Sequence, residues 1–279
     1  MYVVDDDLMT PADDATVWRY MSFAKFADVL ERHALFFSRA DLMTDTFEMA
    51  VPDRDLAPMV SMIIDGMNGA GMPREAAVDY VARFDTLPRP VVETLDDEVL
   101  ARQVLRFSNR FLYLSCWHMN PAESAAMWDL YVTSRSEGVA IRTSVGRLRH
   151  CLDQGSADRM VFIGNVEYLD YRTDSWGPCK AFSSAFHKRR SFEHEREIRA
   201  VVVWPTYADL RDERVDPASH PTPPGIGIDV DTADLIEGVV VSPWAQGWFV
   251  DLVSALATRH GLTCAVVASD LYATPWPEP

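Results

Sequence analysis

Phe186-His187-Lys188-Arg189-Arg190-Ser191-Phe192-Glu193-His194-Glu195-Arg196-Glu197-Ile198-Arg199-Ala200-Val201-Val202-Val203 is the stretch on which the fold turns. Its first half is basic and predicts a helix. Its second half predicts a strand, with Glu195, Glu197 and Arg199 at alternate positions. Side chains at i, i+2 and i+4 of a strand share one face, roughly 6–7 Å apart. Ile198, Ala200 and Val202 then face the opposite way, into a core. Two carboxylates and a guanidinium in a row, with Lys188, Arg189 and Arg190 near in sequence, suit a site for an anionic ligand on which a carboxylate acts. The same row suits a solvated sheet face carrying a nearly neutral ladder of ion pairs. Both readings stay open at this point.

Working outward, residues 1–15 read as a flexible lead-in and 16–279 as a single domain. Val17–Met21 predicts a strand, and Ser22 can cap a helix whose apolar stripe is Phe23, Phe26, Val29 and Leu30. Leu35–Ser38 predicts a second strand, followed by a turn with Asp45, Phe47 and Glu48, in which Asp45 and Glu48 could be ligand-facing carboxylates or a helix N-terminal cap and its dipole partner, the cap being the expected role. From about 53 to 109 the pattern is helical, an insertion in which Pro73 and the pair Pro88/Pro90 punctuate the chain. The Gly66–Gly71 loop lacks the G-K-[ST] ending of a phosphate loop and reads as a connector. Strands are expected at Phe111–Trp117, Glu137–Ser144 and Met160–Tyr171, the last with a bulge at Gly164. Asn120-Pro121-Ala122-Glu123 has the form of a capping box opening a helix with Trp128 and Tyr131. Asp212–Gly225 is a Pro-rich loop, and Gly238–Val241, a helix over 245–260 and Thr263–Ala268 form a βαβ-like unit. The fold class is therefore α+β: a mixed β-sheet core flanked by helices, with a helical insertion and a C-terminal βαβ-like unit.

Composition narrows the function. A net charge of −16 over 279 residues opposes general affinity for nucleic acid or anionic membranes. The segment from His187 to Arg199, with five Lys/Arg against three Glu, is a positive island within that field. Cys116, Cys151, Cys179 and Cys264 are widely spaced and read as reduced, mostly buried thiols. The acidic N-terminus does not resemble a signal peptide, and no apolar run is long enough to span a membrane, so a cytoplasmic location is expected.

The histidines make no H-E-x-x-H or H-x-x-x-H spacing, and there is no G-x-S-x-G elbow, so zinc and serine-hydrolase chemistry lack support. Cys116 and His118 could form a Cys–His pair, though a buried structural thiol is the simpler account. Trp117, Trp128 and Tyr131 could stack a nicotinamide or adenine, or could pack a helix onto the sheet. Arg19 and Tyr20 in the first strand could bind a phosphate or ribose, or Arg19 could be a surface charge.

The ordered series W-R-Y-M (18–21), L-F-F-S-R-A (35–40), D-T-F-E (45–48), L-S-C-W (114–117), M-W-D-L-Y (127–131), E-G-V-A-I (137–141), V-E-Y (166–168), F-H-K (186–188) and E-x-E-x-R (195–199) resembles the bacterial domain of unknown function 2971 family. That resemblance covers the chain from about Val17 to Tyr272 and implies no established activity. A looser resemblance is to ADP-ribosyltransferase-type folds, including the DNA-modifying toxin branch. It implies NAD as substrate, Glu197 as the catalytic carboxylate and Glu195 as the group that helps activate an acceptor. It further implies ligand contacts from Arg19 or Tyr20 and from Ser38. The chain departs from that pattern in having Arg-Tyr in its first strand in place of His-x-Thr, and Ser38-Arg39 in place of Ser-Thr-Ser.

Three functions follow as expectations. The first is an NAD-using ADP-ribosyltransferase-like enzyme, a toxin or phage-defence effector, binding NAD through Arg19, Tyr20, Ser38, Trp117, Trp128, Tyr131, Lys188 and Arg199 and modifying a protein or nucleic acid. The second is a metal-dependent nuclease or phosphoryl-transfer enzyme built on Asp45, Glu48, Glu195, Glu197 and Lys188. The third is a non-catalytic module that senses a nucleotide or dinucleotide in the same pocket.

Overall fold

The structure is a computed structural model, describing residues 2–3, 8–45, 47–69, 73–155, 159–177, 182–204 and 223–273. Cys179, most of the Pro-rich 212–225 loop and the end of the Gly66–Gly71 connector lie outside the described residues. In chain order the strands are β1 (Thr16–Ser22), β2 (Ala34–Arg39), β3 (Leu112–Met119), β4 (Gly138–Ser144), β5 (Val161–Asn165) and β6 (Glu167–Leu169). They continue with β7 (His187–Arg189), β8 (Glu197–Val203), β9 (Gly225–Asp229), β10 (Gly238–Val241) and β11 (Val266–Ala268). The helices are α1 (Phe23–Arg32), α2 (Asp53–Asn68), α3 (Arg74–Phe84), α4 (Arg89–Val92) and α5 (Asp97–Ser108). After them come α6 (Ala125–Tyr131), α7 (Val145–Gly155), α8 (Thr232–Leu235) and α9 (Gly247–Arg259).

Strands rich in Val and Ile on both faces belong in the middle of a sheet, and β8 sits between β3 and β5. The main sheet is mixed and nine-stranded, in the order β11-β10-β4-β1-β3-β2-β9, with β8 and β5 branching from β3. β10 and β11 run parallel across α9, the expected βαβ unit. Ile198, Ala200 and Val202 enter a core with Val17, Phe26, Trp117 and residues of α7 and α9 such as Leu148 and Val253. Val201, on the opposite face, packs with Leu112, Leu114, Phe162 and Phe186. α2, α3 and α5 pack on one another through Val60, Val78, Val81, Leu100 and Val104. Among the described residues no helix is long and apolar enough to cross a membrane.

β3 is the hub. One edge pairs with β8 throughout, from Leu112↔Val203 to His118↔Glu197. The other edge is shared: β1 takes its end (Val17↔Met119, Trp18↔His118) and β2 its start (Ser38↔Leu114, Arg39↔Tyr113). Between those registers, Ser115, Cys116 and Trp117 have no partner strand on that side, so the sheet is split where β1 and β2 flare apart. α1 makes the crossover from β1 to β2 beside the split.

Three local expectations are corrected. The basic half of the opening stretch is not an α-helix: β7 pairs in parallel with β6, and Arg190–Glu195 is a 3-10 turn. Arg196 then takes a left-handed backbone, φ 43°, so β8 starts only at Glu197. Gly164 marks no bulge; its pairing with Arg199 is regular, and a Cβ there would lie 3.2 Å from the Phe186 ring. Instead the segment breaks at Val166, between β5 and β6. The Asn120–Glu123 box does not open a helix, because the Glu123 carboxylate accepts a hydrogen bond from Trp128 Nε1 (2.9 Å) and α6 starts at Ala125.

α6 is held on the sheet through Gly138 at the start of β4, where a Cβ would come within 2.5 Å of Val132 Cγ1 and 3.1 Å of Trp128 Cζ3. Valine is stiff about χ1, so it cannot swing clear. Gly138→Ala is expected to cost about 1–3 kcal/mol by overpacking. Gly247→Ala, with nothing within 4 Å of the added carbon, should be neutral or stabilising. Urea unfolding of the two variants checks this; equal midpoints would contradict the packing argument.

Candidate active site

Alternation along β1 puts Val17, Arg19 and Met21 on the α1 side of the sheet, and Trp18 and Tyr20 on the other. Arg19 therefore reaches across the split. Its Nη1 donates to Ser115 Oγ and its Nη2 to the Phe36 carbonyl, both at 3.0 Å. The guanidinium lies 5.6 Å from the centroid of the Trp117 ring, whose Nε1 donates to the same Ser115 Oγ. No carboxylate pairs with Arg19 among the described residues, and burial pulls its pKa down. Among the described residues it is a cation with dipoles for neighbours and no carboxylate counter-charge.

The split opens into a cavity of about 510 Å³, within the range of small-molecule sites. Arg19, Lys25, Phe36 and Ser38 line it from the β1–α1–β2 side, and Tyr20, His118, Tyr131, Glu195 and Glu197 are also in its wall. Behind those two carboxylates lies a buried ion cluster. Lys188 Nζ is 2.8 Å from Glu195 Oε2, 3.4 Å from Glu197 Oε1 and 3.7 Å from Glu48 Oε2. Arg199, fully buried, donates to Glu197 Oε2 from Nε (2.8 Å), to the Ala185 carbonyl from Nη1 (2.8 Å) and to Glu48 from Nη2. Tyr131 donates its hydroxyl to Glu195 Oε2 at 2.9 Å.

Three carboxylates thus face two cations, and the cluster carries one negative charge in excess when all are ionised. The two cavity-facing carboxyls divide in response. Burial opposes ionisation of Glu197, but Arg199 and Lys188 outweigh it and hold its pKa below the usual carboxylate value. Glu195 is pushed the other way, by burial first and by its acidic neighbour Glu197, against the pull of Lys188. One carboxylate is held charged and its neighbour has raised proton affinity, the division of labour that acid–base chemistry needs. Cys116 in the same wall is pushed up to about 12 by burial and by Glu197, so it stays a thiol.

The structure thus gathers Arg19, Tyr20, Ser38, Trp117, Tyr131, Glu195 and Glu197 around one cavity. Lys188 and Arg199 stand behind the carboxylates rather than in the lining, and their burial replaces the solvated ion-pair ladder with a closed cluster. Trp128 also lies outside the lining: it is fully buried, edge-on to Tyr20 with ring centroids 4.9 Å apart. Glu195 reaches the cluster from the end of the 3-10 turn, not from the strand. The capping role expected of Asp45 and Glu48 is overturned, since α2 begins at Asp53; Asp45 pairs with Arg189 at 2.7 Å and Glu48 with Arg199 and Lys188. The sequence groups Glu48 with Glu195, Glu197 and Lys188 only around a metal ion; its pairing with Arg199, and the place of His118 in the wall, were missed. A count of charges could have found Glu48, since Arg189, Lys188 and Arg199 needed more acids than E-x-E supplies. Among the described residues no group of three or more His, Cys, Asp or Glu is arranged to hold a metal ion. Compared with known proteins, the chain matches no family model and no curated protein.

Arg199→Met would leave Glu48 and Glu197 buried without their guanidinium, at an expected cost of about 3–5 kcal/mol near neutral pH. The two wall carboxyls should show opposite pH linkage. The stabilisation from Glu197 is present above the unfolded value of about 4.3 and is lost as pH falls through its lower folded value. For Glu195 the contribution is full below about 4.3 and is lost as pH rises through its raised folded value. Relative to wild type, Glu197→Gln should recover on acidification, and Glu195→Gln should improve as pH rises. Urea midpoints from about pH 3 to pH 8 decide it; parallel trends in the two variants would refute the division.

Proposed function

We propose that this protein is an NAD-using enzyme of the ADP-ribosyltransferase type, a cytoplasmic toxin or phage-defence effector that passes ADP-ribose to a protein or nucleic-acid acceptor. The observation that carries the reading is Glu197, paired with Arg199 and Lys188, with Glu195 beside it, in the wall of a cavity that also holds Arg19, which no carboxylate pairs among the described residues. The looser resemblance to ADP-ribosyltransferase-type folds points the same way.

Loss of nicotinamide leaves an oxocarbenium-like ribose, and a fixed carboxylate facing that positive charge lowers the barrier. Glu197 fits this part, because Arg199 and Lys188 keep it charged without solvent. Arg19 offers two N–H groups and a full positive charge to a pyrophosphate. Tyr20, Phe36, Trp117 and Tyr131 supply rings for the bases. Glu195, with its raised affinity for protons, is suited to take the proton of an incoming acceptor. A metal-dependent phosphoryl transfer fits less well, because Lys188 and Arg199 already pair with the carboxylates of Glu48, Glu195 and Glu197.

Nicotinamide release from NAD, with and without lysate, DNA or RNA, is the direct test. Glu197→Gln is expected to lower kcat by about 10²–10³-fold. The wild-type rate should rise with pH through an apparent pKa above the ordinary carboxylate value, and Glu195→Gln should remove that limb. No release by the wild type with any acceptor would sink the reading.

A further inference from the structure

Five phenylalanine, tyrosine and tryptophan rings line the cavity, and exposure sorts them. Trp18, Tyr20 and Trp117 are at most 7% exposed and offer a ligand little more than an edge. Phe36 and Tyr131 are 48% and 45% exposed, so they are the two rings of the wall with room for stacking. Tyr131 is tied through its hydroxyl to Glu195 and belongs to the reacting end. Phe36 belongs to the other: its carbonyl accepts from Arg19 Nη2 at 3.0 Å, and the exposed Lys25 stands in the same wall. The neighbouring strand sets the place of the ring. β2 and β9 pair Phe36 with Gly227 and Ser38 with Gly225. A Cβ on Gly225 would fall 2.0 Å from Phe36 Cζ and 2.5 Å from Cε2, so the far end of the ring occupies the space of the missing side chain. Neither glycine has a positive φ. At 225 the small residue serves the ring, not the backbone.

We infer that Phe36 is the platform on which the cavity stacks the adenine of its dinucleotide. The ligand then lies with its adenosine half on β2, its phosphates at Arg19 and its reacting ribose beside Glu195 and Glu197. This rests on the reading that the cavity takes NAD, and it adds the direction in which the NAD lies. In a nucleotide the base and the phosphate hang from one ribose, so an open ring next to the phosphate-binding cation is where the base falls. Two open rings, one tied to Glu195 and one to Arg19, match the two bases of a dinucleotide and the phosphates between them. The reverse placement would put nicotinamide beside Arg19 rather than beside the carboxylates that stabilise its departure. A base stacked on an aromatic side chain gains binding whatever its hydrogen-bonding edge, by about 5–150-fold.

Calorimetry with ADP, inorganic pyrophosphate and nicotinamide mononucleotide tests this, with melting curves as the folding control. The wild type should bind ADP more tightly than pyrophosphate. Phe36→Ala should weaken ADP by about 5–150-fold and leave pyrophosphate and nicotinamide mononucleotide unchanged. Phe36→Tyr, which keeps a ring, should restore most of the ADP affinity. Gly225→Ala pushes the ring aside without removing it and should weaken ADP in the same direction. Gly227→Ala, whose added carbon meets only Ala34 Cβ at 3.6 Å, should bind as the wild type does. Should Phe36→Ala fail to fold, Gly225→Ala against Gly227→Ala carries the comparison. The inference is overturned by ADP binding no tighter than pyrophosphate, or by an ADP loss in Phe36→Ala no larger than the pyrophosphate loss. A loss that falls on nicotinamide mononucleotide instead overturns it too, as does equal ADP binding by the two glycine variants. Nicotinamide release is measured separately. No release with the ADP contrasts intact removes the catalytic reading and leaves this one standing; release with unaltered ADP affinity in Phe36→Ala removes this one alone.

Discussion

The interaction on which the rest depends is the buried pairing of Arg199 and Lys188 with three glutamates. An isolated charge of this kind is costly to bury, and the mutual attraction compensates only when the geometry is good and the remaining donors are satisfied. Both conditions are met at Arg199, whose guanidinium spends its N–H groups on Glu197, Glu48 and the Ala185 carbonyl. Those contacts join three separate pieces of chain: the 47–49 turn, the 183–186 turn and β8. A hydrophobic substitute of similar volume could fill the space, but it could not specify where Glu195 and Glu197 point. The cluster is better understood as a device for orientation than as a source of stability.

The excess carboxylate makes the device chemical as well as structural. With equal numbers of acids and bases every carboxyl in the interior would be held ionised and inert. With one more acid than base the site has to accommodate a proton or a cationic partner, and the carboxyl least supported by Arg199 is where that demand falls. Glu195 is that carboxyl: it touches Lys188 and Tyr131 but not the guanidinium. The neighbouring strands supply the other half of the site. Because β3 shares one edge between β1 and β2, the sheet opens at Ser115–Trp117, and Arg19 bridges the gap with hydrogen bonds to both sides. A continuous ladder there would have left no cavity.

The α+β class, the strands of the main sheet and the C-terminal βαβ unit were legible because alternation and short Gly-containing links are local signals. So was the bringing together of Glu197 and Arg199, two residues apart on one strand. Glu195 was legible as a partner but not by the right route, since a left-handed Arg196 has no signature in sequence; arginine has no special tolerance of that backbone. Glu48 was misassigned because an acidic residue in a turn before a helix ordinarily caps it, and the partner that overrides the rule lies 151 residues away. Trp128 illustrates the converse: its spacing from Tyr131 is equally good for a core and for a ligand platform, and only the fold separates the two.

Strain marks the same place. Among the described residues three non-glycine positions have positive φ: His33, Met49 and Arg196. Two of them adjoin the cluster, Met49 immediately after Glu48 and Arg196 between Glu195 and Glu197. A left-handed residue of this type costs about 1–2 kcal/mol, and a glycine at either position would remove most of it. In both places the unfavourable backbone is what delivers a carboxylate to the cations, since a relaxed extended Arg196 would prolong β8 and move Glu195 away from its position beside Lys188 and His118. Local preference and global structure agree along most of this chain. They part at the two residues that aim the carboxylates of the cavity, which is where conflict of this kind is expected when a site, rather than stability, sets the geometry.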